Sequence, residues 1–366
     1  MALAGCGNKE TKEALQKASV LEDEKQYEDA NTVLIDALEA RETKIRAGLS
    51  APTDPDAADA LTKKVQSDPE ILKMERAQIT IYLRLEREDK ASAVYSDVLA
   101  GHPGDPTVPD MLHDKDPKIR AGAVRVLGLV GKPESIPPLA GATKDEDQDV
   151  RRAAVAALGT IKNPAAVDPL LAALKDSYWF VRSEAATSLG LEHDPRAIKP
   201  LIDTVADADS NVESSAESAL LQLCQTTGTP PDQFVSRLGD SNPKIVMVSA
   251  ICLVLLKDPR AVPVLTTLTA SSDLTIRLEA LKGLGETGDP SVLPTLRQSL
   301  TDPDVNVKGW SIIGLGKLKD HASLPALQAM AADAQQTPNI RAAASAAVEH
   351  ITGIPNAPAA PPSSTP

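Results

Sequence analysis

One register runs through much of this 366-residue chain. An aliphatic residue recurs at Ile119, Val150, Val181, Val212, Ile245, Ile276, Val307 and Ile340, in steps of 31 or 33 residues. Four residues after each comes a small one: Ala123, Ala154, Ala185, Ala216, Ser249, Ala280, Ser311 and Ala344. Eight residues after each comes an aliphatic: Leu127, Leu158, Leu189, Leu220, Leu253, Leu284, Leu315 and Val348. Spacings of four and eight lie on one face of a helix, with the small residue where two helices approach most closely. A unit this short is one helical pair, which cannot bury its apolar face alone and must stack on its neighbours. The chain is therefore expected to be an array.

A second helix in each unit opens on Asp or Asn followed by Pro, as in Asn163-Pro164, Asp194-Pro195, Asp258-Pro259 and Asp289-Pro290. An acidic or amide cap with Pro at the first helical position is a strong helix start, because the missing N–H would be unpaired there anyway. This is how 29 prolines fit an all-helical chain. An Asp stands six residues before a basic residue at Asp114/Arg120, Asp145/Arg151, Asp176/Arg182 and Asp302/Lys308. With the following Ala and Leu-Gly, this pattern resembles HEAT repeats of the short, phycobilin-lyase-like type. The resemblance covers residues 105–353 and implies an α-solenoid of about eight helical hairpins, with binding on a concave face. Glu213 and Val246 depart from it, and each 33-residue step needs an insertion, near Thr226-Thr227-Gly228 and near Gln335-Gln336-Thr337.

Residues 9–104 read as a different helical section. Gln26-Tyr27-Glu28-Asp29-Ala30 with Leu34 and Ala37-Leu38 resembles part of a tetratricopeptide repeat. Asp89-Lys90-Ala91, Tyr95, Val98-Leu99 and the exit His102-Pro103-Gly104-Asp105-Pro106 resembles another. Residues 354–366 are rich in Pro, Ala and Ser and read as a solvated tail. Residues 1–8 contain Leu3-Ala4-Gly5-Cys6, which resembles a bacterial lipobox. That resemblance implies lipidation of Cys6 and a protein anchored to a membrane, facing the periplasm or cell exterior; a cytoplasmic location is the alternative. Only five residues precede Cys6, fewer than the 7–15 apolar residues of a secretory leader.

Composition narrows the function. Eight aromatics in 366 residues are few for a conventional enzyme core. A formal charge of −13 argues against nucleic-acid binding, which needs a concentrated basic surface. The five histidines include no His-Glu pair of the kind that binds di-iron in HEAT-type deoxyhypusine hydroxylases. No phosphate-binding, serine-hydrolase or zinc-protease motif stands in a supporting context. Acidic turns such as Asp145-Glu146-Asp147-Gln148-Asp149 read as helix caps, since they lack the Gly and terminal Glu of a calcium loop. The arginine column reads as an exposed ladder of ion pairs, with an anion-binding track as the alternative. Cys224 and Cys252 read as buried free thiols at different heights of successive repeats. No catalytic residue, metal or cofactor is expected.

A partner surface is the remaining candidate. Positions two, three and six beyond the register residue are expected to face outward, and most units carry small or polar residues there. Three units instead carry Met247, Val248, Ile251, Leu278, Trp310 and Ile313. Trp and adaptable Met are enriched at binding hot spots. The Ile245–Leu256 stretch is apolar at all but Ser249 and reads as either a binding surface or an unusually buried helix. Tyr178-Trp179-Phe180 is a second candidate, with Phe180 expected to pack inward and Tyr178 or Trp179 to face a partner. The functional expectation is a non-enzymatic scaffold for a protein or peptide. A phycobilin-lyase-like enzyme and a cytosolic regulatory subunit are the alternatives.

Overall fold

The structure is a computed structural model that describes residues 3–47, 55–225 and 228–354. All the regular structure among the described residues is helical. Met1 and Ala2, residues 48–54, the 226–227 insertion and the tail from 355 lie outside the described residues, as do the side chains of the lipobox-like Leu3-Ala4-Gly5-Cys6. The chain forms two compact units, Met1–Glu192 and His193–Pro366. The division falls inside the repeat array.

In the first unit, the long helices Leu3–Asp23 and Tyr27–Ala47 form a hairpin. Pro69–Arg84 and Glu88–Gly101 form another. Ala18, Ala30, Leu34, Met74 and Ile81 pack between them as a buried cluster. The exit of the second hairpin is tied down by side chains. Tyr95 donates its hydroxyl to the Asp105 carbonyl at 2.7 Å, Arg76 pairs with the Asp105 carboxylate, and a His102 ring nitrogen lies 3.0 Å from the Gln66 carbonyl.

The repeats follow. Every register residue lies in a helix and is at most 5% exposed. Seven of the eight such helices start on an acidic or amide cap or a Thr, the exception being Trp179–Glu192, which follows Tyr178: Asp147 accepts from the N–H groups of Asp149 and Val150, and Asn242 from that of Lys244. The Asp/Asn-Pro starts also cap as the sequence predicts. Asn163, Asp194 and Asp289 each accept a hydrogen bond from the N–H two residues on and open a single tight turn, which runs into a seven-residue helix.

The Leu-Gly step has a steric cause. A Cβ on Gly159 would lie 2.4 Å from the Ser188 hydroxyl oxygen, and one on Gly128 would lie 2.7 Å from the Ala157 Cβ. Successive register helices thus touch nearly backbone to backbone. Small residues, not rings, fill the seam, which is why the fold needs so few aromatics.

The arginine column is a correction to the sequence reading. It is no exposed ladder: Arg120 and Arg151 have side chains only 7% and 13% exposed. Arg120 donates to both oxygens of Asp145 in the next repeat's turn, at 2.8 Å each, and to the Asp114 carbonyl of its own turn at 2.9 Å. Arg151 repeats the pattern on Asp176 and the Asp145 carbonyl. Burial alone would raise the Asp145 carboxyl, but the Arg120 guanidinium and the Asp147 N–H hold it below its ordinary value. The column staples one repeat to the next. In the second unit Glu213 and Val246 interrupt it, and other pairs serve, such as Lys244–Glu213 at 2.6 Å and Arg297–Asp320 at 2.6 Å.

Candidate functional site

The six apolar residues of the second-unit patch separate into packed and exposed groups. Position six beyond the register is the outward one, and Ile313 there is 38% exposed. Positions two and three face sideways, toward the neighbouring register helix. Met247 and Val248 are consequently only 8% and 5% exposed, and the expectation that they present a binding surface is corrected. Their helix, Pro243–Leu255, takes the other form foreseen, an unusually buried helix. Ile251 is half-buried even at position six. Its Cδ1 atom occupies the space a Cβ on Gly283 would need, 2.7 Å from where that atom would stand. Leu278 is also half-buried.

What remains at the surface is centred on Trp310. The Val305–Lys317 helix begins on an Asp304 cap, which accepts from the N–H groups of Asn306 and Val307. It faces the Pro338–Thr352 helix across a groove of about 380 Å³. Trp310 is half-buried in that groove, with Ile313, Val305, Ile340 and Ala343 beside it. Val305, 40% exposed, is a member that the position rule did not select. The Lys282 ammonium stands 5.7 Å from the centre of the Trp310 ring, a cation–π approach that puts positive charge at the rim. The groove offers a ring face, aliphatic walls and the polar side chains of Asn306, Asn339 and Thr337, with the Lys282 cation at its rim.

The first unit holds the other aromatic cluster. Tyr178 is anchored by its N–H on Asp176 at 2.8 Å, just before the Trp179–Glu192 helix. Trp179 and Phe180 lie with ring centroids 4.8 Å apart. The inward role expected of Phe180 is wrong: it is 36% exposed, with the Arg152 guanidinium 5.1 Å from its ring centre, whereas Tyr178 and Trp179 are half-buried. Val181, the next residue, takes the core position, so its neighbour must point away.

The sequence reading missed one exposed set. Leu129, Leu191 and Leu255 stand ten residues beyond their register residues and are 62%, 45% and 43% exposed. The recurrence of leucine at that position was the available signal. Leu255 lines a groove of about 480 Å³ with Val254, Val262 and Glu286.

Among the described residues no group of three or more His, Cys, Asp or Glu side chains is arranged to hold a metal ion. No described helix is long and apolar enough to cross a membrane. The free thiols Cys224 and Cys252 are both buried, as expected.

Comparison with known proteins agrees with this architecture. Residues 139–221 and 266–349 match the family described as HEAT repeats. None of the curated proteins compared with the chain matches it. Kap95p, in a structure with RanGDP, is 14% identical, with a TM-score of 0.59 over 92% of this chain and 52% of its own. A Kap121p mutant is also 14% identical, with a TM-score of 0.59 over 91% of this chain and 43% of its own. This chain thus spans about half the length of these two proteins. The CpcE–CpcF complex of phycocyanin lyase from Nostoc is 20% identical over 67% of this chain and 93% of its own, with a TM-score of 0.32.

Proposed function

This chain is a HEAT-repeat protein with an all-α solenoid fold, and from that premise we propose that it is a non-enzymatic scaffold that captures a protein or peptide at the Trp310 groove. Repeat arrays of this kind present extended surfaces to macromolecular partners. The observation that carries the reading is the placement of Trp310. An array whose seams are filled by Ala, Gly and Leu has no packing need for an indole there, yet it holds one in a groove with exposed Ile313 and Val305. A half-buried ring with aliphatic neighbours and a cationic rim is the chemistry of an interface hot spot. The partner it fits offers an apolar side chain with an acidic residue nearby, to meet Lys282.

The lipobox-like Leu3-Ala4-Gly5-Cys6 supports a second part of the proposal. The scaffold is anchored through a lipid on Cys6 and faces the periplasm or cell exterior; a cytosolic regulatory role is the alternative. Mass spectrometry of the N-terminal peptide from the native host decides it, since diacylglycerol on Cys6 confirms the anchor and an unmodified Cys6 removes it.

The binding reading is tested with a photo-activated cross-linking residue at position 313 of the full chain in its host. We expect a discrete adduct that Trp310→Ala reduces at least tenfold while the circular dichroism stays unchanged. Absence of an adduct, or an adduct indifferent to Trp310→Ala, overturns the assignment of this groove.

A further inference from the structure

The array ends on the helix Pro338–Thr352, and the chain beyond it carries a pattern of its own. Gly353 takes the left-handed backbone, φ 71°, with its N–H on the Glu349 carbonyl at 2.8 Å. Such a cap stops the helix and turns the chain off its axis. Ile354, 68% exposed, is the last described residue. The twelve residues after it, 355–366, contain no charged side chain. Among them proline recurs at every third position, Pro355, Pro358 and Pro361, with Pro362 beside the last. A polyproline II helix has three residues per turn, so this spacing would put the three rings on one ridge and leave the backbone carbonyls without internal partners.

We infer that residues 355–366 seat in the Trp310 groove of the same chain, with the proline ridge against the indole, and that a partner must displace them. The competition rests on the reading of the groove as a partner site; the seating does not. Aromatic-lined grooves take polyproline II segments because such a segment is already stiff and loses little entropy on binding. The Trp310 groove has the matching parts. Trp310 and Ile313 supply an apolar wall for proline rings. The side-chain amides of Asn306 and Asn339, with the Lys282 ammonium at the rim, supply donors for backbone carbonyls.

Reach and path favour this segment over a foreign one. One wall of the groove, through Ile340 and Ala343, belongs to the helix from which the segment departs. The span from Thr352 back to Ala343 is about 14 Å, at roughly 1.5 Å per helical residue. A polyproline II chain covers that distance in about five residues, at roughly 3.1 Å each. Pro358 therefore comes level with Ala343, and Pro361 with Thr337 and Asn339 at the far end of the groove. Little stands between. Ala346, exposed at the outward position of this helix, is small, and the His350 ring is drawn to the neighbouring helix, its Nδ1 3.0 Å from the Gly316 carbonyl. The segment has no acidic side chain to meet Lys282, so it binds more weakly than the partner chemistry described above and is held by its short tether, whose effective concentration is on the order of millimolar.

The test uses the purified full chain with the photo-activated residue at position 313 and no partner present. Isotope-labelled and unlabelled chains are mixed, so that links within one molecule are told from links between copies. We expect position 313 to be joined to residues 355–366 of the same molecule. Trp310→Ala, and separately the combined changes Pro358→Gly, Pro361→Gly and Pro362→Gly, should each cut that yield severalfold. No link, a link to another segment, a link to the tail of a second copy, or a yield indifferent to the proline changes overturns the seating. The proline changes lie outside the array, so they decide even if Trp310→Ala fails to fold. The competition is read separately in the host. There the proline changes should raise the partner adduct at position 313 about fivefold, because apparent affinity scales with the fraction of grooves left open. A partner adduct that stays level or falls overturns the competition. Absence of any partner adduct overturns the partner reading and the competition with it, while the link in the purified chain still decides the seating.

Discussion

Arg120 grips Asp145 of the following repeat through two hydrogen bonds of 2.8 Å, with both side chains nearly buried. This contact joins successive repeats as well as stabilising one, so its loss should loosen the stack. Breaking a buried pair by removing one partner leaves an uncompensated charge and costs about 3–5 kcal/mol. Arg120→Ala should lower the thermal midpoint markedly. Arg120→Lys keeps the charge but loses the fork geometry and should fall between Arg120→Ala and the parent.

The same pair sets an acid limit. Asp145 and Asp176 both have carboxyls held below their ordinary value in the folded state; burial opposes this, but the arginine and backbone hydrogen bonds outweigh it. A depressed carboxyl contributes stability above its unfolded pKa, and loses it as pH falls through the lower folded value. Denaturant titrations at pH 6, 4 and 3 should therefore show stability dropping below pH 4. Asp145→Asn should flatten that drop while lowering stability at pH 6.

Glu75 acts in the opposite direction. Burial, with Asp97, Glu42 and Asp105 adding negative charge around it, raises its carboxyl to about 7. A raised carboxyl binds its proton more tightly when folded, so the folded state loses stability as pH rises from about 4.5 through about 7. With solvent screening of this partly exposed group, the effect is about 1–2 kcal/mol. Glu75→Gln should stabilise the protein at pH 8 by that amount and change little at pH 4. Equal effects at both values would show that the group is not perturbed.

Gly159 tests the seam. Alanine gains about 1 kcal/mol of helix propensity over glycine. Here its Cβ would meet the Ser188 Oγ and Cβ at 2.4 and 2.6 Å, and overpacking of this kind costs about 1–3 kcal/mol. Gly159→Ala should be net destabilising on its own. The double variant with Ser188→Gly should recover most of the loss. A double-mutant cycle with no coupling would show that the helices do not meet there.

The sequence made the repeat, the caps and the buried register face legible, because each is a local pattern repeated eight times. It left the sideways neighbours unread. Period alone tells which face of a helix turns inward, but not whether a side chain at position two or three is covered by the next helix in the stack. Met247 and Trp310 illustrate the difference. Both are large apolar residues beyond the register, yet Met247 is enclosed and Trp310 lines a groove.

That difference gives a direct comparison. Met247→Glu places a carboxylate in a helix that has no exposed polar path, and an unpaired buried charge costs several kcal/mol. It should unfold the second unit, with loss of helical circular dichroism and a lowered midpoint. Ile313→Glu, at a site 38% exposed, should leave the midpoint within about 0.5 kcal/mol of the parent. It should nevertheless abolish the cross-link at the Trp310 groove when the photo-active residue is moved to position 343. If Met247→Glu folds normally and loses the partner, the binding surface includes Met247 and the burial of its helix is wrong. If Ile313→Glu folds normally and keeps the partner, the groove is not the docking site.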